Sequence, residues 1–189
     1  MKSALMLGVN PDFEREPNDF YATDPKAIGT ALPTFRAIGL CKEVWECACG
    51  MGHIAKVLID AGYNVYSSDK INRGFGVVLD FLKCEKPFNG DILTNPPFKD
   101  AASFVEKAMQ LLRKGNKVWL FLKIQFLESR TRKALFKKYP PRFVAVYSER
   151  QKCAKDADFK RYCKNSNTQT YAWFVFEKGF VGNPQIIWI

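Results

Sequence analysis

The chain has 189 residues, 47% hydrophobic and 25% charged, with 29 Lys and Arg against 19 Asp and Glu for a net charge of +10. That apolar fraction excludes the disordered and low-complexity classes, and the length suits one domain of about 100–200 residues. No stretch approaches the ~20 consecutive apolar residues of a membrane-spanning helix, and the start of the chain, with Ala4–Val9 followed by acidic residues from Asp12, does not read as a signal peptide.

In chain order, Val44–Cys47 is an apolar strand that ends in the turn Gly50-Met51-Gly52. The next segment, His53–Ala61, has Ile54, Val57, Leu58 and Ala61 at helical spacing, and Gly62 stops it. Tyr63–Ser68 reads as a strand ending at Asp69, and Val77–Leu79 as a short one ending at Asp80. Ile92–Thr94 runs into Asn95-Pro96-Pro97-Phe98; Ala101–Leu112 is an amphipathic helix; Lys117–Ile124 is the clearest buried strand. Arg130–Tyr139 is a basic helix closed by Pro140-Pro141, and Phe143–Tyr147 and Tyr171–Glu177 close the sheet. These seven strands alternate largely with helices, which predicts an α/β fold: a Rossmann-like three-layer sandwich with a mostly parallel seven-stranded sheet. One domain over residues 1–189 is expected. Its exception is 149–170, a long polar, basic loop expected to face the substrate.

Charge is placed unevenly along this order. Residues 1–98 carry 10 basic and 12 acidic side chains, residues 99–165 carry 18 and 6, and residues 166–189 carry one of each. A basic segment inside a folded domain points to a face that meets a polyanion, most often nucleic acid; a solubilising surface is the plainer alternative. The six cysteines show no C-x-x-C pair and only His53 is available as a nitrogen ligand. Reduced thiols are therefore expected and no metal, although zinc joining Cys47 and Cys49 to Cys153 and Cys163 is the alternative.

The unusual residues gather at predicted strand carboxyl ends, where open parallel sheets bind ligands. Glu46-x-x-x-Gly50-x-Gly52 lies between a strand and a helix, so the glycines allow a tight turn and the helix start offers unpaired N–H groups. It is not the dinucleotide fingerprint, because its third glycine would fall at position 55, an Ala. Asp69, at the end of the next strand, suits the two hydroxyls of a ribose, though an Asp there is also a common turn residue. Asn95-Pro96-Pro97-Phe98 is the most specific. Its prolines remove two N–H donors and stiffen the turn, so the Asn95 amide oxygen and the Pro96 carbonyl can both accept from one NH₂ group while Phe98 offers a ring to stack on. His53 reads as the polar residue that opens its helix.

In order and spacing, Glu46-Cys-Ala-Cys-Gly-Met-Gly52, Asp69 and Asn95-Pro-Pro-Phe98 resemble the class I S-adenosylmethionine-dependent methyltransferases. Among these the chain is similar to the small N6-adenine DNA methyltransferases of phages and prophages. The resemblance implies methyl transfer from S-adenosylmethionine to N6 of a flipped adenine, with Asn95, Pro96, Pro97 and Phe98 as the catalytic turn. It implies cofactor contacts from Tyr21 and Thr23 at the methionine end, from Glu46, Gly50, Gly52 and Asp69, and from Asp80 and Phe81 at the adenine. It also implies an antiparallel strand near the C-terminus, DNA held by the basic 99–165 region, a monomer or weak dimer, and a cytoplasmic location, that of a bacterial host if phage-encoded. One departure stands out. Larger relatives carry a sizeable target-recognition region, whereas this chain has only 149–170 and the basic helix. Related Asn-Pro-Pro-aromatic turns also serve RNA bases and protein glutamines, so those acceptors, and an inactive cofactor-binding nucleic-acid binder, are the alternatives.

Overall fold

The computed structural model describes residues 21–151, 153–155, 159 and 169–189. The strands are β1 (Tyr21–Thr23), β2 (Glu43–Glu46), β3 (Asn64–Asp69), β4 (Val77–Val78), β5 (Asp91–Thr94), β6 (Lys117–Lys123), β7 (Phe143–Val146), β8 (Cys153–Lys155), β9 (Tyr171–Glu177) and β10 (Gln185–Trp188). The helices are α1 (Pro25–Ile38), α2 (His53–Asp60), α3 (Ala101–Leu111) and α4 (Arg130–Lys138). Eight strands form one sheet in the order β10-β7-β9-β6-β5-β2-β3-β4, and β1 and β8 form a separate antiparallel pair. Within the main sheet only β9 runs antiparallel, against β6 on one side and β7 on the other.

Burial explains the layers. β6 presents Val118, Trp119, Leu120, Phe121 and Leu122 buried, a continuous apolar run that fits a strand covered on both faces. One face packs on α1 and α2, with Phe35 set edge-to-face against Trp119 and Trp173. A buried chain of hydrogen bonds pins α1 there: the Trp173 indole donates to Tyr147 Oη, which donates to the Ala27 carbonyl, each at 2.7 Å. The other face packs on α3 and on Leu135 of α4.

Several expectations need adjusting. The sheet has eight strands rather than seven, because β10 adds to the edge parallel to β7. The strand at 171–177 lies inside the sheet, between β6 and β7, and does not close it. α1 is an addition to the expected helices, although its ends are well marked. Asp24 caps it by accepting from the Lys26 N–H, Pro25 occupies its first turn, and Gly39 ends it at φ 86°. Its apolar stripe is Ala27, Ile28, Ala31 and Phe35, all buried.

At the amino ends of the strands, Asp91 is fully buried. Its carboxylate accepts from the backbone N–H of Cys41 (3.1 Å) and Lys117 (2.8 Å), the indole of Trp119 (2.9 Å) and the amide of Asn116 (3.4 Å). It joins β2, β5 and β6 at the end of the sheet opposite the glycine turn.

Candidate active site

The carboxyl ends of β2, β3 and β5 converge on one concavity. The turn after β2 is anchored to β3, since the Cys49 N–H donates to the Ser68 carbonyl (3.0 Å). The Gly50 N–H, at a φ of 54°, donates to Asp69 Oδ2 (2.8 Å), and Asp69 Oδ1 accepts from the Ile71 N–H (2.9 Å). Asp69 therefore holds the turn in shape, with its remaining lone pairs open to a ligand. Gly52, at φ 79°, is required sterically as well as conformationally, because a Cβ there would fall 2.5 Å from the Phe75 ring.

Gly52 gives α2 no side-chain cap. Glu46, at the end of β2, lies near the first turn of α2, where the Ala55 N–H acts on its carboxyl group. Glu46 is buried, and its Oε2 has no hydrogen-bond partner among the described residues. Burial, reinforced by the charge of Asp69, pushes its pKa well above the ordinary 4.5, against the Ala55 N–H, which favours the charged form. A carboxyl whose pKa is raised on folding stabilises the fold most below its unfolded value, and loses that contribution as pH rises through the folded value. Glu46→Gln keeps the shape without the titration. Denaturant midpoints of the ligand-free protein should then fall between pH 5 and pH 8 in the wild type and change less in Glu46→Gln. Each tenfold weakening of the acid on folding corresponds to about 1.4 kcal/mol of that difference. Equal slopes in the two proteins would show that Glu46 does not carry the effect.

Thr23, Glu46, Asp69, Asp80, Phe81, Tyr21, Asn95 and Pro97 all line one cavity of about 150 Å³. Asp80 caps the 3₁₀ turn Phe81–Lys83 through the Leu82 N–H and pairs with Lys70 at 3.3 Å. Gly50 and Gly52 shape the turn behind Cys47, Ala48 and Cys49, which form part of the wall. His53 opens α2 and also lines this cavity; burial, then Lys56, lowers its pKa. Pro96 and Phe98 lie elsewhere. They line a second, smaller cavity of about 60 Å³ with Lys123, Cys153 and Tyr171.

Asn95 and Tyr21 border both cavities. The Asn95 Nδ2 donates to the Tyr21 carbonyl and to Thr23 Oγ1, each at 3.0 Å. A backbone carbonyl only accepts, so this contact fixes which end of the amide is nitrogen. β1, which supplies both partners, is held in turn by β8, through the pairs Tyr21–Lys155, Ala22–Ala154 and Thr23–Cys153. The beginning of the expected 149–170 loop is thus a strand stitched to the segment that holds Tyr21 and Thr23, and most of its remainder, with Cys163, lies outside the described residues.

Lys123, Tyr171, Ile71, Arg73 and Lys99 are wall residues that the sequence alone does not single out, and Cys153, weighed there only as a zinc ligand, is another. Lys123 carries a usable signal, a charge ending the most apolar strand; Cys153 reaches the site only through the β1–β8 pairing. Among the described residues no group of three or more His, Cys, Asp or Glu side chains is placed to hold a metal, and no helix is long and apolar enough to cross a membrane.

Among the described residues the basic side chains do not share one face. Lys99, Lys123, Arg130 and Lys133 lie toward the carboxyl ends of the strands. Arg113, Lys114, Lys117 and Arg142 lie at the opposite end, where Arg142 and Lys117 pair with Glu177. Arg132 is committed internally, donating to the carbonyls of Phe126 (2.8 Å), Gln125 (3.1 Å) and Glu128. Its guanidinium and the Lys123 ammonium stand 6.0 and 5.8 Å from the centre of the Phe98 ring.

The chain has the fold of the class I S-adenosylmethionine-dependent methyltransferases. It is similar to the structure of a candidate RNA methyltransferase from Pyrococcus horikoshii (16% identity, TM-score 0.62, covering 94% of this chain and 96% of that one). It is also similar to a candidate class I S-adenosylmethionine-dependent methyltransferase from Listeria monocytogenes (12%, 0.57, 97% and 68%). A third likeness is to the magnesium protoporphyrin IX methyltransferase of Synechocystis PCC 6803 with its bound S-adenosylmethionine (12%, 0.54, 82% and 79%). No family model and no curated protein matches the sequence.

Proposed function

We propose that the chain transfers a methyl group from S-adenosylmethionine to N6 of a flipped adenine in DNA. The observation that carries this reading is the position of Asn95, on the wall between two cavities, one acidic and one aromatic. The larger cavity fits the cofactor. Glu46 offers a buried, unpartnered oxygen, which asks for a donor or a cation, while Asp69 and Asp80 offer acceptors and Phe81 an apolar surface. Tyr21 stands at the border with the smaller cavity, and Thr23 lines the larger one. When bound, the cofactor supplies an electrophilic methyl whose bond to sulfur breaks as the bond to nitrogen forms.

The chain's own residues prepare the acceptor. An aromatic amine is a weak nucleophile because its lone pair is delocalised into the ring. Asn95 Oδ1 and the Pro96 carbonyl accept its two hydrogens and stabilise the positive charge that grows on nitrogen; one proton then leaves to solvent. Phe98 stacks on the base once it leaves the helix. Holding nitrogen and methyl in line supplies much of the remaining acceleration, as much as about 7–11 kcal/mol in favourable systems.

DNA phosphates are assigned to the basic groups at the site end. The double variant Arg130→Gln/Lys133→Gln should weaken DNA binding and lower the slope of log K against log salt by about 2, one per lost phosphate contact. Arg113→Gln/Lys114→Gln, at the far end, should leave both unchanged. Equal losses would mean that the charge acts through the whole molecule. The reaction itself is tested by labelled-methyl incorporation into DNA, RNA and protein offered separately, with nuclease digestion of the product. Label in DNA supports the reading, and label confined to RNA, the acceptor class named for the Pyrococcus neighbour, overturns it.

A further inference from the structure

We propose that Thr23 is a positioning residue for Asn95, so that the site admits only acceptors whose reacting nitrogen carries hydrogens to donate. The inference rests on the methyl-transfer reading for its kinetic consequence, and on hydrogen bonds alone for the rest.

A carboxamide has two unlike ends, an acceptor oxygen and a donor NH₂. At a reactive site the wrong end is worse than useless. An NH₂ facing an amine opposes the hydrogens it should receive and repels the developing positive charge. In this chain both Asn95 amide hydrogens have partners on β1, one the Tyr21 carbonyl and the other Thr23 Oγ1. The carbonyl excludes a flip, since a flipped amide would set two oxygens about 3 Å apart. The hydroxyl takes the second hydrogen and stops the amide plane from turning about its bond. What remains is Oδ1, which accepts nothing among the described residues and belongs to a residue bordering both cavities.

Thr23 is well placed for this duty. It is 2% exposed and its backbone is registered against Cys153 of β8, so its hydroxyl cannot drift. Cys153 also lines the smaller cavity, so the strand that orients Asn95 is tied to a strand that touches the acceptor. The cofactor contact expected of Thr23 is therefore not its whole role. An acceptor that presents only lone pairs, such as an unprotonated ring nitrogen, meets a lone pair of Oδ1 and is refused; an amine or amide nitrogen is accepted.

Two variants of the full chain test this. Thr23→Val keeps the volume and removes the hydroxyl, and Thr23→Ser restores it. Exchange of the Asn95 side-chain NH₂ with water, followed by NMR on ¹⁵N-labelled protein and identified by its loss in Asn95→Ala, should be slow in the wild type and in Thr23→Ser. It should be at least about 10-fold faster in Thr23→Val. With DNA as acceptor, kcat should fall about 10-fold or more in Thr23→Val, as misplacement at a reacting centre does. KM for DNA should stay within two-fold, affinity for S-adenosylhomocysteine should fall by clearly less than kcat, and Thr23→Ser should recover the rate.

Asn95→Asp gives a second readout, because a carboxylate there would face the Tyr21 carbonyl. Measured as the difference from wild type at each pH, its thermal stability should be lowered most at pH 8 and least toward pH 5, where the carboxyl regains a proton to donate. Unchanged exchange in Thr23→Val, or an affinity for S-adenosylhomocysteine that falls in step with kcat, would overturn the proposal. If the wild type methylates no nucleic acid, the functional reading fails, and the exchange and stability measurements still decide whether Thr23 orients Asn95.

Discussion

Asn95→Ala should lower methyl transfer to DNA by about 10³-fold while leaving affinity for S-adenosylhomocysteine within a few-fold of wild type. The size follows from the role. A preorganised hydrogen-bonding group aimed at developing charge typically contributes 10²–10³ in rate, about 2.7–4 kcal/mol, and Asn95 also keeps the acceptor in line with the cofactor cavity. The split between rate and affinity follows from place, since Glu46, Asp69, Asp80 and Phe81 line the larger cavity independently of the Asn95 side chain. Single-turnover transfer and calorimetric binding measured on one preparation check both halves. A loss of binding as large as the loss of rate would make Asn95 a cofactor residue and not an acceptor-side one.

The largest effect on stability is expected far from the site. Asp91→Ala should destabilise the fold by about 3–5 kcal/mol, because several donors lose the one carboxylate they share. Truncation would strand the Cys41 and Lys117 N–H groups and the Trp119 indole in the interior, and each unsatisfied buried donor costs about 1–3 kcal/mol. Set against a total stability of about 5–15 kcal/mol, that is enough to bring the chain near unfolding at room temperature. Urea unfolding followed by tryptophan fluorescence measures it. Asp91→Asn, which keeps one acceptor oxygen, should lose less, and equal losses from both variants would show that the charge and not the hydrogen bonding carries the effect.

What is legible in the sequence is what the backbone dictates locally. Glu46 to Gly52, Asp69 and Asn95 to Phe98 are short stretches whose glycines and prolines narrow the chain to a few shapes, and each stands at the carboxyl end of a strand with its own apolar signature. The strand at 117–124 is legible because burial on both faces leaves an unbroken apolar run. α1 is harder to read although Asp24-Pro25 and Gly39 mark its ends, because Gly29 and Pro33 inside it weaken the helical pattern. β10 carries no such mark, since Ile186 and Trp188 are exposed at an edge and give no alternation to read. The smaller cavity is beyond reach. Cys153 reaches it through a strand pairing between residues more than a hundred positions apart, and Tyr171 through the pairing of β9 with β6, and no local preference encodes either.

Charge carries a similar lesson. The basic stretch 99–165 is contiguous in sequence, but α3, β6 and α4 run the length of the sheet and distribute its cations to both ends. Arg130 and Lys133 reach the site end, while Arg113, Lys114 and Arg142 do not. A count along the chain therefore overstates the polyanion-facing surface, by the share that Glu177 and the backbone carbonyls take up.

The reaction proposed for this site is methylation of N6 of adenine in DNA. The most direct test incubates duplex DNA with the protein and isotopically labelled S-adenosylmethionine, digests the DNA to nucleosides and identifies the labelled one by mass spectrometry. The prediction is label in N6-methyl-2′-deoxyadenosine, absent when Asn95→Ala replaces the wild type. Label in a methylated cytosine, or in no deoxynucleoside while RNA treated in parallel is labelled, would contradict it.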